Sequence, residues 1–363
     1  MIEMLVKNTL KNPMAAAMAH QGAGGRVIGY VGSEIPVELI LAANAMPVQL
    51  SGFPASDITL ADKYLEDSFA PSIQVLAEHY LNGSLDFLEA IIFPRSNDST
   101  QRLYYYLCEL QRIDRVGGPT PLIYDLAKIP RDSSRVHNEQ ATLDLAAAIG
   151  TEEVELPKAI GLRNRRRELL AAVNSARIRQ KNLQGSFIDQ VFRTADLVDG
   201  GEFDAALSEW LQENRKKKEI PGPRLLLIGN APSDERLHRA VEMGGGNVVA
   251  EFGDFAAFSA QLPPVDEEGS FAALATHYSG LIHGPRAFVD RAQAALSHAR
   301  DAAVDGVIQW LIEQEEALVW DVPAQKAEFA AAGIPVLSLV RRKWDASDGA
   351  LDEIISFTRS LRG

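Results

Sequence analysis

The sequence predicts an α/β protein: two Rossmann-like open parallel sheets with flanking helices, joined by a helical segment. Three observations predict it. Short apolar runs alternate with longer helical stretches in the first third of the chain. The middle carries helical patterning almost throughout. At Pro221-Gly-Pro223 the strand-then-helix alternation restarts with the same order of pieces. Such alternation implies parallel strands covered on both faces. The chain therefore divides into an N-terminal α/β domain (1–130), a helical connecting segment (131–220) and a C-terminal α/β domain (221–363).

The first strand is expected at 26–31. A helix starts near Pro36, a good first-turn residue, and carries Val37, Leu39, Ile40, Leu41 and Ala42. Further strands are expected at 47–50, 86–93 and 121–124, with a helix at about 99–112. The middle reads as helices over 139–149, 156–179 and 203–214. Its basic runs, Arg163-Asn-Arg-Arg-Arg167 and Arg215-Lys-Lys-Lys218, read as solvated helix faces or ends. The second half reads as strands at 224–229, 247–251, 306–311 and 335–340, with helices at 233–243, 286–303, 324–332 and 351–361. Gly244-Gly-Gly246 ends the first of these helices.

Composition narrows the function. The 363 residues are 46% apolar and 23% charged, an ordinary globular mix. With 36 Lys and Arg against 49 Asp and Glu, the net charge is −13, which argues against a nucleic-acid partner or an anionic membrane surface. No apolar run reaches the roughly 18 residues of a spanning helix. Residues 1–20 are broken by Lys7, Lys11, Asn12 and Pro13, so no signal peptide is expected and the cytoplasm is the expected location. Cys108 is the only cysteine. Disulfide frameworks, cysteine zinc sites and cysteine-held clusters all need more thiolates than that.

Ligands in open α/β sheets collect outside the carboxyl ends of the strands. That points to the segments after Val31, Phe93, Ile228 and Leu311. Gly22-Ala-Gly-Gly25 precedes a strand, whereas a dinucleotide fingerprint follows one, so it reads as a turn. Gly32-Ser33-Glu34 and Ser96-Asn97-Asp98-Ser99-Thr100 are the richer strand ends. The second has two readings. Asp98 or Ser99 caps a helix and does nothing more, or the loop is a polar pocket floor whose amides bind a carbonyl or phosphate. Glu66-Asp67-Ser68, before another helix, has the same two readings. Glu34, Asp67 and Asp98 would offer oxygen ligands to a hard cation if they converged. Their spacing does not demand it, and no metal ligands are assigned.

The run from Ile28 to Val48, with its Pro36-Val-Glu-Leu-Ile40 core, and the run from Leu85 to Tyr104 resemble two blocks of the 2-hydroxyacyl-CoA dehydratase / benzoyl-CoA reductase family. Arg224–Gly229, Asp305-Gly-Val-Ile308 and Gly333-Ile-Pro335 are similar to its later strands, so the resemblance spans nearly the whole chain. It implies two Rossmann-like domains, two related subunits, a cysteine-held [4Fe–4S] cluster and an ATP-dependent activator that supplies one electron. The acyl-CoA thioester then becomes a ketyl radical, and water is eliminated or an aromatic ring reduced.

The sequence departs from that pattern at the cluster. The family's three cysteine positions align with Gly32, Asp67 (or Ser68) and Asn97. Cys108 lies about three turns into the following helix, beside Tyr104 and Gln111, and reads as a small buried hydrophobe. An arginine expected before the last apolar helix is replaced near Glu353. Iron–sulfur ligation needs soft thiolates, so no cofactor is expected on this chain and the [4Fe–4S] cluster is expected in a cysteine-bearing partner subunit. The resemblance then implies a non-cluster-binding subunit that binds or shapes an acyl-CoA pocket. Ser33, Glu34 and Asp98 are its candidate catalytic residues, and Gly32, Ser33, Asp67, Ser68, Asn97, Ser99 and Thr100 its candidate substrate contacts. Two alternatives stand beside it: a cluster-free, redox-neutral acyl-CoA enzyme using Glu and Asp as acid and base, and a non-catalytic structural or binding homologue. For CoA itself, Arg341-Arg-Lys343 offers phosphate partners or is a solvated strand end, and Trp310, Trp320 and Trp344 offer a stacking face or are core.

Overall fold

A computed structural model of the chain describes residues 1–51, 53, 57–180, 182–198, 200–214, 219–266, 269–281 and 289–362. The basic run 215–218 and the expected helical residues 286–288 lie outside these.

Each half builds one four-stranded sheet, and every pairing is parallel. β1 (Arg26–Tyr30), β2 (Ala45–Gln49), β3 (Ala90–Pro94) and β4 (Thr120–Tyr124) lie in the order β2-β1-β3-β4. β5 (Arg224–Gly229), β6 (Asn247–Gly253), β7 (Gly306–Ile312) and β8 (Val336–Arg342) lie in the equivalent order β6-β5-β7-β8. β3 and β7 are buried along their whole length, as apolar strands covered on both faces must be. In each sheet the order turns back beside the first strand, which places a switch point between β1 and β3 and another between β5 and β7.

α1 (Ile2–Lys11) and α2 (Ala15–Gly22) precede the first sheet; α3 (Val37–Ala42), α4 (Pro71–Leu81) and α5 (Asp98–Arg112) flank it. The middle is α6 (Asp132–Ile149), α7 (Leu156–Gln180), α8 (Gly185–Ala195) and α9 (Gly200–Asn214). α10 (Arg236–Met243), α11 (Phe271–Ser279), α12 (Arg291–Asp301), α13 (Val322–Ala331) and α14 (Ala350–Ser360) belong to the second half of the chain. Ile2 and Val6 of α1 are buried against the middle helices, sharing a core with Ile188, Phe203 and Leu207. Leu262, Val265, Leu274 and Tyr278 cross back from the second half to join the core of Ile28 and Ile92 in the first sheet.

Two expectations change. The strand expected at 86–93 begins only at Ala90, because residues 82–87 turn. Asn82 Oδ1 accepts the Ser84 N–H at 2.9 Å, and Gly83 takes φ +79°. The Arg163–Arg167 run is not a solvated face. Arg163, Arg166 and Arg167 are buried, while Arg165 is exposed. Three- and four-residue spacing turns the first three toward carboxylates, those facing Arg163 and Arg167 with buried side chains and Asp204 half-buried. Arg163 pairs with Asp196, Arg166 with Asp204 at 2.5 Å, and Arg167 with Glu38 at 2.6 Å. Further along α7, Arg177 grips both oxygens of Glu251, at 2.9 and 2.6 Å, and His238 Nε2 meets the same carboxylate at 2.8 Å. α7 thus carries one buried ion pair to each half of the fold. Burial alone would raise the pKa of Glu38, Asp196 and Glu251. The facing arginines override it and hold all three low, Glu251 at about 2.

Candidate active site

The carboxyl ends of both sheets open on one cleft of about 740 Å³. The first half contributes Val31-Gly32-Ser33 after β1, Leu50-Ser51 after β2 and Ser96–Thr100 after β3. The second half contributes residues 230–233 after β5, Asp254 and Phe255 after β6, and residues 314–317 after β7. The four segments singled out from the sequence all border it.

Local chemistry fixes this lining. Gly32 takes φ +73°, where a Cβ would be strained, and so turns the chain out of β1. Gln49 Nε2 donates to its carbonyl at 3.0 Å. Asn97 caps α5: its Oδ1 accepts the Thr100 N–H at 3.2 Å. The cap is thus Asn97, where the sequence pointed to Asp98 or Ser99. Ser99 Oγ instead accepts the Ala70 N–H at 3.1 Å and ties the start of α4 to α5. Asp98 Oδ2 meets Arg102 Nε at 2.9 Å. The Arg102 guanidinium also donates to Ser68 Oγ at 3.0 Å and lies 4.1 Å from the centre of the Phe69 ring. The N-terminal ends of α4 and α5 both face the cleft through Ala70, Ser72 and residues 97–100.

Gly32, Ser33, Ser68, Asn97, Asp98, Ser99 and Thr100 therefore line one surface. Glu34 and Asp67 are not part of it. Glu34 is buried and paired with Lys128 Nζ at 2.9 Å, and that ammonium also donates to the Tyr278 carbonyl at 3.0 Å. Asp67 is exposed. The three carboxylates considered for a hard cation are not brought together in the cleft. Arg342 is held by Glu353 at 2.5 Å, and neither it nor exposed Arg341 and Lys343 lines the cleft. Trp310 is core, Trp344 is buried with its Nε1 donating to the Ala231 carbonyl at 2.9 Å, and Trp320 stands 82% exposed on the cleft's rim.

Sequence reasoning missed Arg193 and Asn230. Arg193 of α8 reaches the cleft wall, paired with Asp189 at 2.7 Å and donating to the Pro232 carbonyl at 3.0 Å. Nothing local marks it. Asn230 bridges two strand ends: its Nδ2 donates to Glu315 at 3.0 Å and its Oδ1 accepts the Ile312 N–H at 3.2 Å. A polar residue directly after a glycine at a strand end, Gly229-Asn230 beside Gly32-Ser33, is the signal that marks it.

The donors in this cleft are hydroxyls, amides and exposed carboxylates. Gly32 offers no side chain, and Asn97 spends its oxygen on the cap. Cys108 is half-buried beside Tyr104 on α5, outside the lining, and burial pushes its thiol pKa up. Among the described residues, this donor set does not fit a thiolate-held iron–sulfur cluster. No helix among them is long and apolar enough to cross a membrane.

Comparison with known proteins extends the picture. The model of the family "2-hydroxyglutaryl-CoA dehydratase, D-component" matches residues 33–355. The β subunit of (R)-phenyllactyl-CoA dehydratase from Clostridium sporogenes is 22% identical over 346 residues, which cover 91% of this chain and 90% of that protein. A solved structure of SsGBP with GDP covers 93% of this chain and 100% of its own at 10% identity, with a TM-score of 0.24, too low to bear on fold or function.

Proposed function

We infer the function from one premise: the chain belongs to the 2-hydroxyglutaryl-CoA dehydratase D-component family. We propose that it is a subunit of a 2-hydroxyacyl-CoA dehydratase or benzoyl-CoA reductase-like complex that holds no cluster of its own and shapes the pocket for an acyl-CoA thioester. The observation that carries this reading is the cleft's lining. Of the positions where the family resemblance calls for cysteines, Gly32 and Asn97 face a cleft shared with the second sheet; at the third, Asp67 lies outside the cleft and the adjacent Ser68 lines it.

Ser33 Oγ and the first-turn amides of α5 are the donors assigned to the thioester carbonyl oxygen. Hydrogen bonds aimed there favour negative charge developing on that oxygen. The Thr100 N–H is taken by Asn97, which leaves the work to Ser33 and the other amides of that turn. Phe53, Ile73 and Phe255 give the cleft an apolar wall for the acyl group. The cluster belongs to a cysteine-bearing homologue in the complex, reduced by an ATP-dependent activator in the cytoplasm. A cluster-free acid–base enzyme has less support, since Glu34 is ion-paired outside the cleft and Asp98 faces Arg102.

The test is calorimetric titration of the complex, isolated from its own host, with phenylpropionyl-CoA. Saturable binding is expected, weakened about tenfold by Ser33→Ala, the size of one lost hydrogen bond to a charged or strongly polar oxygen. Binding that Ser33→Ala leaves untouched contradicts the assignment.

A further inference from the structure

β2 is the outer strand of the first sheet, and part of its free edge is unspent. The Leu50 N–H donates to the Tyr30 carbonyl at 2.8 Å, so Met46 and Val48 turn their backbone groups toward β1 while Ala45, Pro47 and Gln49 turn theirs outward. The Asp196 carbonyl takes the Gln49 N–H at 3.0 Å. Among the described residues, the Ala45 N–H and carbonyl and the Pro47 carbonyl have no partner. Both residues border a groove of about 1030 Å³. An unpaired strand edge facing open space is a template for another strand.

α7 forms the opposite wall. The turn that leads into it meets the first sheet just before β2, where the Glu152 N–H donates to the Ala42 carbonyl at 3.3 Å. Further on, Arg166 donates to the Ala195 carbonyl, beside the carboxyl end of β2. From Leu156 to Arg166 the helix rises about 15 Å, the reach of about four extended residues. Most ions along this groove are paired: Lys158 with Glu155 at 3.4 Å, Arg163 with Asp196, and Arg166 with Asp204 at 2.5 Å. Glu152 at the first end and Arg165 at the second differ. Both line the groove, both are exposed, and neither side chain has a partner among the described residues. Leu162, 44% exposed, stands between them.

We propose that this groove seats the C-terminal tail of another protein, about four residues long, added to β2 as a parallel strand. Its backbone bonds to Ala45 and to the Pro47 carbonyl, its terminal carboxylate meets Arg165, and a basic side chain at its start meets Glu152. The charges select the parallel direction, because the reverse sets the carboxylate beside Glu152. The Asp196 carbonyl, already on the edge, ends the added strand there. The groove shares no lining residue with the cleft, so this inference does not rest on the acyl-CoA reading.

The test uses the full chain, immobilised, and two pools of tetrapeptides. Each is Lys-X-X-X with X drawn from Val, Ile, Thr and Phe; one pool has free C-termini and the other is amidated. Affinity selection read by mass spectrometry is expected to favour the free acids about tenfold or more, the ratio of one charge-assisted hydrogen bond. Arg165→Gln, at an exposed position, removes that preference, and Ser33→Ala in the cleft leaves it unchanged. In the retained peptides, methylating one alternate set of backbone amides abolishes retention and methylating the other set does not, the mark of an added strand. Retention of neither pool, equal retention of both, or a preference that survives Arg165→Gln overturns the proposal. So does indifference to which amides are methylated. Sedimentation of the chain alone checks the rival occupant: a dimer that Arg165→Gln dissociates means that a second copy covers this edge, and it overturns the proposal too.

Discussion

The cleft and the long helix α7 treat charge in opposite ways. Along α7 the ions are inside: Glu38 and Arg167 have side chains 0% and 2% exposed, and Glu251 and Arg177 are both at 0%. In the cleft the lining is mostly neutral and small, and its one candidate carboxylate from the first sheet, Asp98, has a side chain 76% exposed. Charge taken out of water survives only when matched by a partner, so it serves the scaffold. Neutral hydroxyls and amides at strand ends cost little to leave open, so they are the groups available to a ligand. The most eye-catching charges in this sequence, the arginine run, therefore mark what ties the middle helices to one another and to the first half, while Arg177 further along α7 reaches the second.

Breaking the scaffold side should have the largest effect. Arg177→Met leaves Glu251 buried without its main partner, and a loss of about 3–5 kcal/mol is expected from denaturant unfolding. Adding Glu251→Leu to that variant should recover part of the loss, because the stranded charge is gone. The acid side follows from the same pair. Glu251 titrates at about 2 in the folded chain against 4.5 for an ordinary glutamate. Its folded pKa is depressed, so its stabilisation is complete above the ordinary value and is lost as pH falls from there toward the folded one. Unfolding followed across that window should show a steep decline for the native chain and a shallower one for Glu251→Gln. The cleft side is milder. Asn97→Ala removes the α5 cap and should cost about 1 kcal/mol. Asp98→Asn, which breaks only an exposed pair one turn long, should stay within about 0.5 kcal/mol. If Asp98→Asn destabilised more than Arg177→Met, the contrast between scaffold and cleft would be wrong.

The strands were legible because parallel strands buried on both faces read as plain apolar runs, and β7 is the clearest case. The cleft was legible for a topological reason: ligand loops follow the first and third strands of each half, and Ser33, Asn97 and Asn230 all sit there. The buried arginines were not legible. Arginine is usually exposed, and the partners that reverse that expectation, Glu38 and Glu251, lie far away in the sequence. The return of Leu274 and Tyr278 to the first sheet was hidden for the same reason: Tyr278 donates to Glu38 at 2.8 Å across the fold. Phe87 and Leu88 misled the strand boundary because apolar residues anchor turns as well as strands; Leu88 is buried without joining β3.

The central claim is that this chain lends a cleft floored by uncharged strand-end groups to a complex whose cluster lies elsewhere. Anaerobic native mass spectrometry of the protein drawn from its own host, with iron quantified on the same sample, tests it most directly. The account predicts a heteromer with a cysteine-bearing homologue, with all of the iron on that partner. Stoichiometric iron on this chain alone would contradict it.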